Sequence, residues 1–128
     1  MSGDHPARKK LPETRAGTRY RIVLESQEGD IDVYILINKF DDTGEAGEIF
    51  VNVSKQGSSL QGMLDGWAIM ASLALQYGTP LEKIIEKFKG QSFPPAGTTT
   101  SPDVKECSSL LDLIARILEF DAAAQKRR

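Results

Sequence analysis

Between residues 19 and 54 apolar and polar side chains alternate in three separate runs, and from about residue 58 onward apolar positions recur every three or four residues instead. In the first run Tyr20, Ile22 and Leu24 share one face, while Arg19, Arg21 and Glu25 share the other with Val23. Alternation of this kind marks a half-buried strand, because successive side chains leave opposite faces of the pleat. The second run, 30–40, sets Ile31, Val33, Ile35 and Ile37 against Asp32, Tyr34, Leu36 and Asn38, and its β-branched side chains make it the strongest strand signal in the chain. A third run, 48–54, alternates through Ile49, Val51 and Val53. The connections Gln27-Glu28-Gly29 and 41–47 are short and rich in turn residues, which predicts an antiparallel meander.

The change of period predicts helices. Leu60, Met63, Leu64, Trp67, Met70, Ala71, Ala74 and Leu75 recur at helical spacing, giving a long helix from Ser58 or Ser59 to Tyr77 with these residues in the core and Gly78 as its C-terminal glycine. Thr79-Pro80-Leu81-Glu82 reads as a capping box with proline at the first helical position, opening a short helix through Leu81, Ile84, Ile85 and Phe88. Residues 91–100, with Pro94, Pro95 and Gly97, predict a loop. Ser101-Pro102-Asp103 repeats the cap-then-proline pattern and predicts the start of a last helix, with Val104, Cys107, Leu110, Leu111, Ile114, Ile117 and Leu118 as its buried stripe. Strands first and helices after give an α+β class: a small antiparallel meander of three strands or slightly more, covered by three helices.

At 128 residues the chain suits one domain with one core. No apolar run approaches the ~18 residues of a membrane span, and the polar, basic start looks like neither a secretory signal nor an anchor, so a cytoplasmic location is expected. The net charge of −2 is unevenly spread. Residues 1–21 carry Arg8, Lys9, Lys10, Arg15, Arg19 and Arg21 against Asp4 and Glu13, whereas 25–48 is acidic. The expected organisation is a basic flexible tail at 1–17, one domain at 18–122 and a basic tail at 123–128. Without interleaved aromatic residues the basic tail is not expected to bind nucleic acid.

Cys107 is the only cysteine and His5 the only histidine, which excludes an intramolecular disulfide, a Cys-x-x-Cys pair and a zinc site built from thiolates and imidazoles. Nucleophilic hydrolysis that relies on an imidazole is disfavoured too, with His5 in the tail. No metal or other cofactor is expected. Cys107, on an apolar stripe, reads as a small buried hydrophobe. Asp41, Asp42, Glu45 and Glu48 lack the spacing of a calcium loop and read as a solvated acidic turn. Gly62 and Gly66, four apart in a helix, each cost about 1 kcal/mol relative to alanine and call for a compensating reason: close packing against a strand, a helix or a second subunit, or ligand contact. Lys55-Gln56-Gly57-Ser58-Ser59, between the third strand and the first helix, has the makings of an anion site, although Ser58 or Ser59 also serves as a plain helix cap.

Leu11-Pro12-Glu13-Thr14-Arg15, Gly47-Glu48-Ile49-Phe50-Val51, Lys55-Gln56-Gly57, Leu73-Ala74-Leu75-Gln76-Tyr77-Gly78, Pro80-Leu81-Glu82 and Phe93-Pro94-Pro95-Ala96-Gly97 with Ser101-Pro102-Asp103 follow in an order that resembles the TSCPD domain. That domain is similar to the C-terminal portion of adenosylcobalamin-dependent (class II) ribonucleotide reductases and also occurs as small free-standing proteins, including phage-encoded ones. The resemblance runs from about Leu11 to Glu119. The family's Cys-Pro-Asp is Ser101-Pro102-Asp103 here, and a second family cysteine is replaced by Phe93. Any thiol or metal role of that pair is therefore absent, and the resemblance implies a non-catalytic accessory or nucleotide-related binding role. The expected partners are a reductase large subunit or a nucleotide-like anion held by Lys55, Gln56, Gly57, Ser58 and Ser59 with Thr99, Thr100 and Ser101, two helix N-termini converging on one phosphate. The alternative is a phage protein that sequesters nucleotide signals of host immunity. A homo-oligomer is also expected, from unpaired sheet edges and the Gly62/Gly66 surface.

Overall fold

The computed structural model describes residues 7–54 and 58–127, with Ser58 described in its backbone only. Three long strands come first: β1 (Gly17–Ser26), β2 (Gly29–Lys39) and β3 (Ala46–Val53). Two helices follow, α1 (Ser58–Gln76) and α2 (Leu81–Phe88), then two short strands, β4 (Gly97–Thr99) and β5 (Glu106–Cys107), and finally α3 (Leu110–Lys126). The five strands form one antiparallel sheet in the order β3-β2-β1-β4-β5. The class is the expected α+β, with the meander widened by two strands drawn from a segment expected to be loop and helix.

The alternation in the sequence sorts the two faces of the sheet. Ile22, Leu24, Ile31, Val33, Ile35, Ile37, Ile49 and Val51 are buried and form one cluster with Leu64, Ala68 and Leu75 of α1 and Leu113, Ile114, Ile117 and Leu118 of α3. Tyr20 meets Phe120 edge-on at 6.4 Å, tying β1 to α3, and Trp67 meets Phe88 at 5.3 Å, tying α1 to α2. At the end of α1, Gly78 takes φ +101°, the left-handed conformation that lets the chain turn out of a helix.

Two expected helix starts are corrected. The last helix begins at Leu110, not near Ser101, and Cys107 lies in β5. Ser101 Oγ accepts hydrogen bonds from the amides of Asp103 (3.1 Å) and Val104 (3.2 Å). A serine in a turn and a serine capping a helix make the same local bonds, so the sequence cue does not separate them. Pairing decides: Thr98 faces Glu106, Gly97 faces Cys107, and the chain after the turn is drawn into the sheet. Ser109 is the true cap, its hydroxyl accepting from the Asp112 amide at 2.9 Å. In α2 the capping box does not form, because Pro80 is the cap residue and no side-chain cap bond is made.

The segments assigned to tails touch the domain where they are described. Arg8 Nε donates to Gln76 Oε1 (2.7 Å), the Lys9 amide donates to the Gln76 carbonyl (2.8 Å), and Lys9 Nζ lies 2.9 Å from Asp42. At the other end α3 continues to Lys126, and Gln125 donates to the Gly44 carbonyl at 2.8 Å.

Candidate functional site

β3 is an outer strand whose free edge is not bare. Ser72 Oγ of α1 accepts from the Ile49 amide (2.9 Å) and donates to its carbonyl (3.3 Å). Gln61 accepts from the Val53 amide (2.8 Å) and donates to the Val51 carbonyl (3.0 Å), and Gln76 donates to the Gly47 carbonyl (2.9 Å). These helix side chains occupy the places a further strand would fill, which blunts the edge against pairing with another chain. The expected route to an oligomer through unpaired strands is thus covered at β3, and a groove of about 400 Å³ between α1 and β3, lined by Phe50 and Ile69 among others, runs alongside it.

Of the expected anion site, Lys55, Gln56 and Gly57 lie outside the described residues, as does the side chain of Ser58; Ser59 is exposed in the first turn of α1. Thr99, Thr100 and Ser101 sit in the β4–β5 turn, not at a helix N-terminus, so the idea of two helix ends converging on one phosphate does not hold. Their hydroxyls are engaged within the chain: Thr99 donates to the Val104 carbonyl, Thr100 accepts from the Val23 amide (2.9 Å), and Ser101 accepts from two amides. The two segments do share one end of the sheet. The Ser54 amide donates to the Asp32 carbonyl, Asp32 faces Val23, and the Thr100 amide donates to the Val23 carbonyl, one continuous row across four chain segments. Three inter-strand spacings put its ends ~14 Å apart. At the Ser54 end, the serine hydroxyl is buried and has no hydrogen-bond partner among the described residues.

The outer face of α1 overturns another expectation. Met63 and Met70, assigned to the core, are 75% and 67% exposed, and Ile69 is 59% exposed. A helical stripe has room for several registers, and here Leu64, Ala71 and Leu75 of the expected stripe point inward together with Ala68, which leaves the two methionines outside. A Cβ built on Gly62 or Gly66 meets nothing within 4 Å, so among the described residues no strand or helix supplies the close packing expected of them. Asp65 is the only charged residue in the 19 of α1.

The face of the sheet opposite the helices is also open. Phe50, Leu36 and Arg19 stand side by side in one row, and Asn52, Tyr34 and Arg21 in the next. All but Arg21 line a shallow depression of about 330 Å³. Arg21 donates to the Tyr34 hydroxyl (3.2 Å) and lies 3.6 Å from Asp32.

Several titratable groups are built into the fold. Cys107 is buried, and that burial, with the nearby Asp112 charge, pushes its thiol up, away from the reactive thiolate. Burial would also raise the Asp112 carboxyl, but the amides of Ser108 (2.9 Å) and Gly90 (2.6 Å) and the Arg116 guanidinium (2.9 Å) outweigh it and hold it below the ordinary 3.8. Lys39 falls on the core face of β2 and pairs with Asp121. The acidic turn is solvent-exposed at Asp41, Asp42 and Glu45, with Asp42 beside Lys9, while Glu48 pairs with Arg15 and Asn38. Among the described residues no group of three His, Cys, Asp or Glu is placed to hold a metal ion, and no helix is long and apolar enough to cross a membrane.

Comparison with known proteins places this fold. Residues 8–122 match the TSCPD domain. The chain is 43% identical over 116 residues to a vitamin B12-dependent ribonucleotide reductase of Streptantibioticus cattleyicolor, covering 91% of this chain and 18% of that protein. Similar reductases of Rhodopirellula baltica (36% over 113 residues, 88% of this chain, 10% of the relative) and Agrobacterium fabrum (38% over 112 residues, 87% and 8%) match the same way. The chain thus spans less than a fifth of the length of these relatives. No solved structure matches it significantly. With the family match beginning at Arg8, which grips Gln76, and ending in α3, the chain is a member of the TSCPD domain family.

Proposed function

We propose that this protein is a non-catalytic accessory domain of the kind found within vitamin B12-dependent ribonucleotide reductases, and that it docks on a reductase chain through the open face of its sheet. The observation that carries the reading is the composition of that face: Arg19, Tyr34 and Phe50 around a depression, with Arg21 beside Tyr34, on a domain that matches one segment of large reductases. Arginine and aromatic side chains are the residues that supply most binding energy in separable interfaces. The test is surface plasmon resonance between this chain and a B12-dependent reductase from which the homologous segment has been removed. Saturable binding that weakens at least tenfold in Phe50→Asp and Arg19→Glu supports the reading; no binding at 100 μM overturns it.

A second reading, a nucleotide-like anionic ligand at Lys55, Gln56, Gly57, Ser58 and Ser59 reaching toward Thr99, Thr100 and Ser101, is supported by the unpartnered Ser54 hydroxyl and by the shared row that ends at Thr100. A span of ~14 Å suits a nucleotide better than a single phosphate. Sequestration of nucleotide signals by a phage protein would use the same site. Native mass spectrometry of the purified chain, with and without added ATP, is the test: a retained or added nucleotide lost in Lys55→Ala supports the site, and unchanged mass removes it.

A further inference from the structure

We propose that α1 is the interface of a two-fold symmetric homodimer, in which the helix packs antiparallel against its own copy with Gly66 at the axis. This goes beyond the docking proposed above and uses the outer face of α1, which meets the sheet face only along the groove where Ile69 and Phe50 both stand. The starting observation is the outer face of α1, where Met63, Ile69 and Met70 are exposed beside Gly62 and Gly66, at which an added Cβ would meet nothing within 4 Å among the described residues.

The occupant is specified by the helix itself. About a two-fold axis at Gly66, antiparallel helices bring each residue opposite the one equally far from Gly66 in the other direction. Gly62 lies four residues before it and Met70 four after; Met63 lies three before and Ile69 three after. Gly62 of one copy therefore lies level with Met70 of the other, Met63 level with Ile69 on the opposite flank, and Gly66 meets itself, where the missing side chains let the two backbones approach. In an isologous contact every residue pair occurs twice, so one helix must carry both knob and hole at matching distances, and α1 does. Helix axes pack 8–10 Å apart depending on the side chains between them, the glycines favouring the close end.

Charge points the same way. Asp65 is the only ionised group among the 19 residues of α1, and its carboxylate accepts from Gln61 at 2.7 Å. Homodimer interfaces are the more apolar class and are depleted of charge at their centre, whereas the arginine-bearing sheet face has the character of a separable contact. The competing route, strand pairing at β3, is closed by Gln61, Ser72 and Gln76.

The test is sedimentation equilibrium of the full chain from 1 to 100 μM, with Gly66→Leu and Gly62→Leu. A Cβ at either position meets nothing within 4 Å among the described residues, so circular dichroism and melting are expected to report an intact fold. The wild type is expected at twice 14.1 kDa and both variants at the monomer mass. In a Cys107→Ala background, Gly66→Cys is expected to form a disulfide-linked dimer under mild oxidation, because the two copies of residue 66 meet. A monomeric wild type at 100 μM overturns the proposal, and so does a dimer whose mass Gly66→Leu leaves unchanged. Because Arg19 lines the sheet-face depression and not the groove beside α1, loss of docking in Arg19→Glu with the dimer intact, or the reverse in Gly66→Leu, separates the two proposals.

Discussion

The ammonium of Lys39, at the end of β2, is buried against the carboxylate of Asp121 in α3, and the Tyr20 hydroxyl donates to the other oxygen of that carboxylate at 2.7 Å. The pair joins residues 82 apart in sequence and pins the last helix onto the sheet. Lys39 is there because it continues the inward-facing positions of β2, and a buried cation requires a partner. Removing one member leaves the other charged and unpaired, so Asp121→Ala is expected to cost about 3–5 kcal/mol in urea unfolding. The double variant Lys39→Met with Asp121→Leu should recover most of that loss. Equal instability of single and double variants would show that the pair's geometry, not the stranded charge, carries the cost.

Asp112 predicts how the domain responds to acid. Its carboxyl is held below the ordinary 3.8 in the folded chain, so the unfolded chain takes up that proton first as pH falls. Its contribution is therefore complete above about pH 5 and drains away below about pH 4, through 3.8 and on toward the folded value. Urea unfolding between pH 7 and pH 3 should show this loss in the wild type, and Asp112→Asn should lower stability at pH 7 while flattening the acid slope. An unchanged slope in that variant would assign acid sensitivity elsewhere, Glu48 being next, since its carboxyl is also held low by Arg15 and Asn38 against the effect of its burial.

Cys107 is expected to be chemically quiet. Its buried thiol resists ionisation, so labelling by a thiol reagent at pH 8 should be at least 100-fold slower than in the urea-unfolded chain. Cys107→Ala should cost roughly 1–2 kcal/mol through lost packing alone. Rapid labelling of the native protein would contradict the burial.

Ser101 closes the β4–β5 turn through two amides. Ser101→Ala should destabilise the domain by about 1–3 kcal/mol, because those amides lose their acceptor. If nucleotide binding is measurable, Ser101→Ala should leave its affinity within about twofold, since the hydroxyl is already engaged, whereas Lys55→Ala should weaken it by about 1–3 kcal/mol. The opposite ranking would move the ligand to the turn.

The three long strands, the first two helices and the buried set Ile22, Leu24, Ile31, Val33, Ile35 and Ile37 were all legible in the chain's alternation, because a strand's period of two and a helix's near 3.6 record which side meets the core. So was the family, in an ordered set of short motifs. The start of α3 was not, although Ser109-Leu110-Leu111-Asp112 carries a sound capping pattern, because Ser101-Pro102-Asp103 offers an equivalent one earlier and local hydrogen bonding satisfies both. Only pairing of β4 with β1, and of β5 with β4, chose between them. The same holds for α1. Its apolar residues are plentiful enough to face the core in more than one rotation, and the bonds from Gln61, Ser72 and Gln76 to the edge of β3 fix the one that leaves Met63, Ile69, Met70 and both glycines outside. A periodic pattern states that a helix has an apolar side; which apolar side is buried depends on the shape it packs against, and that exists only once the sheet has formed.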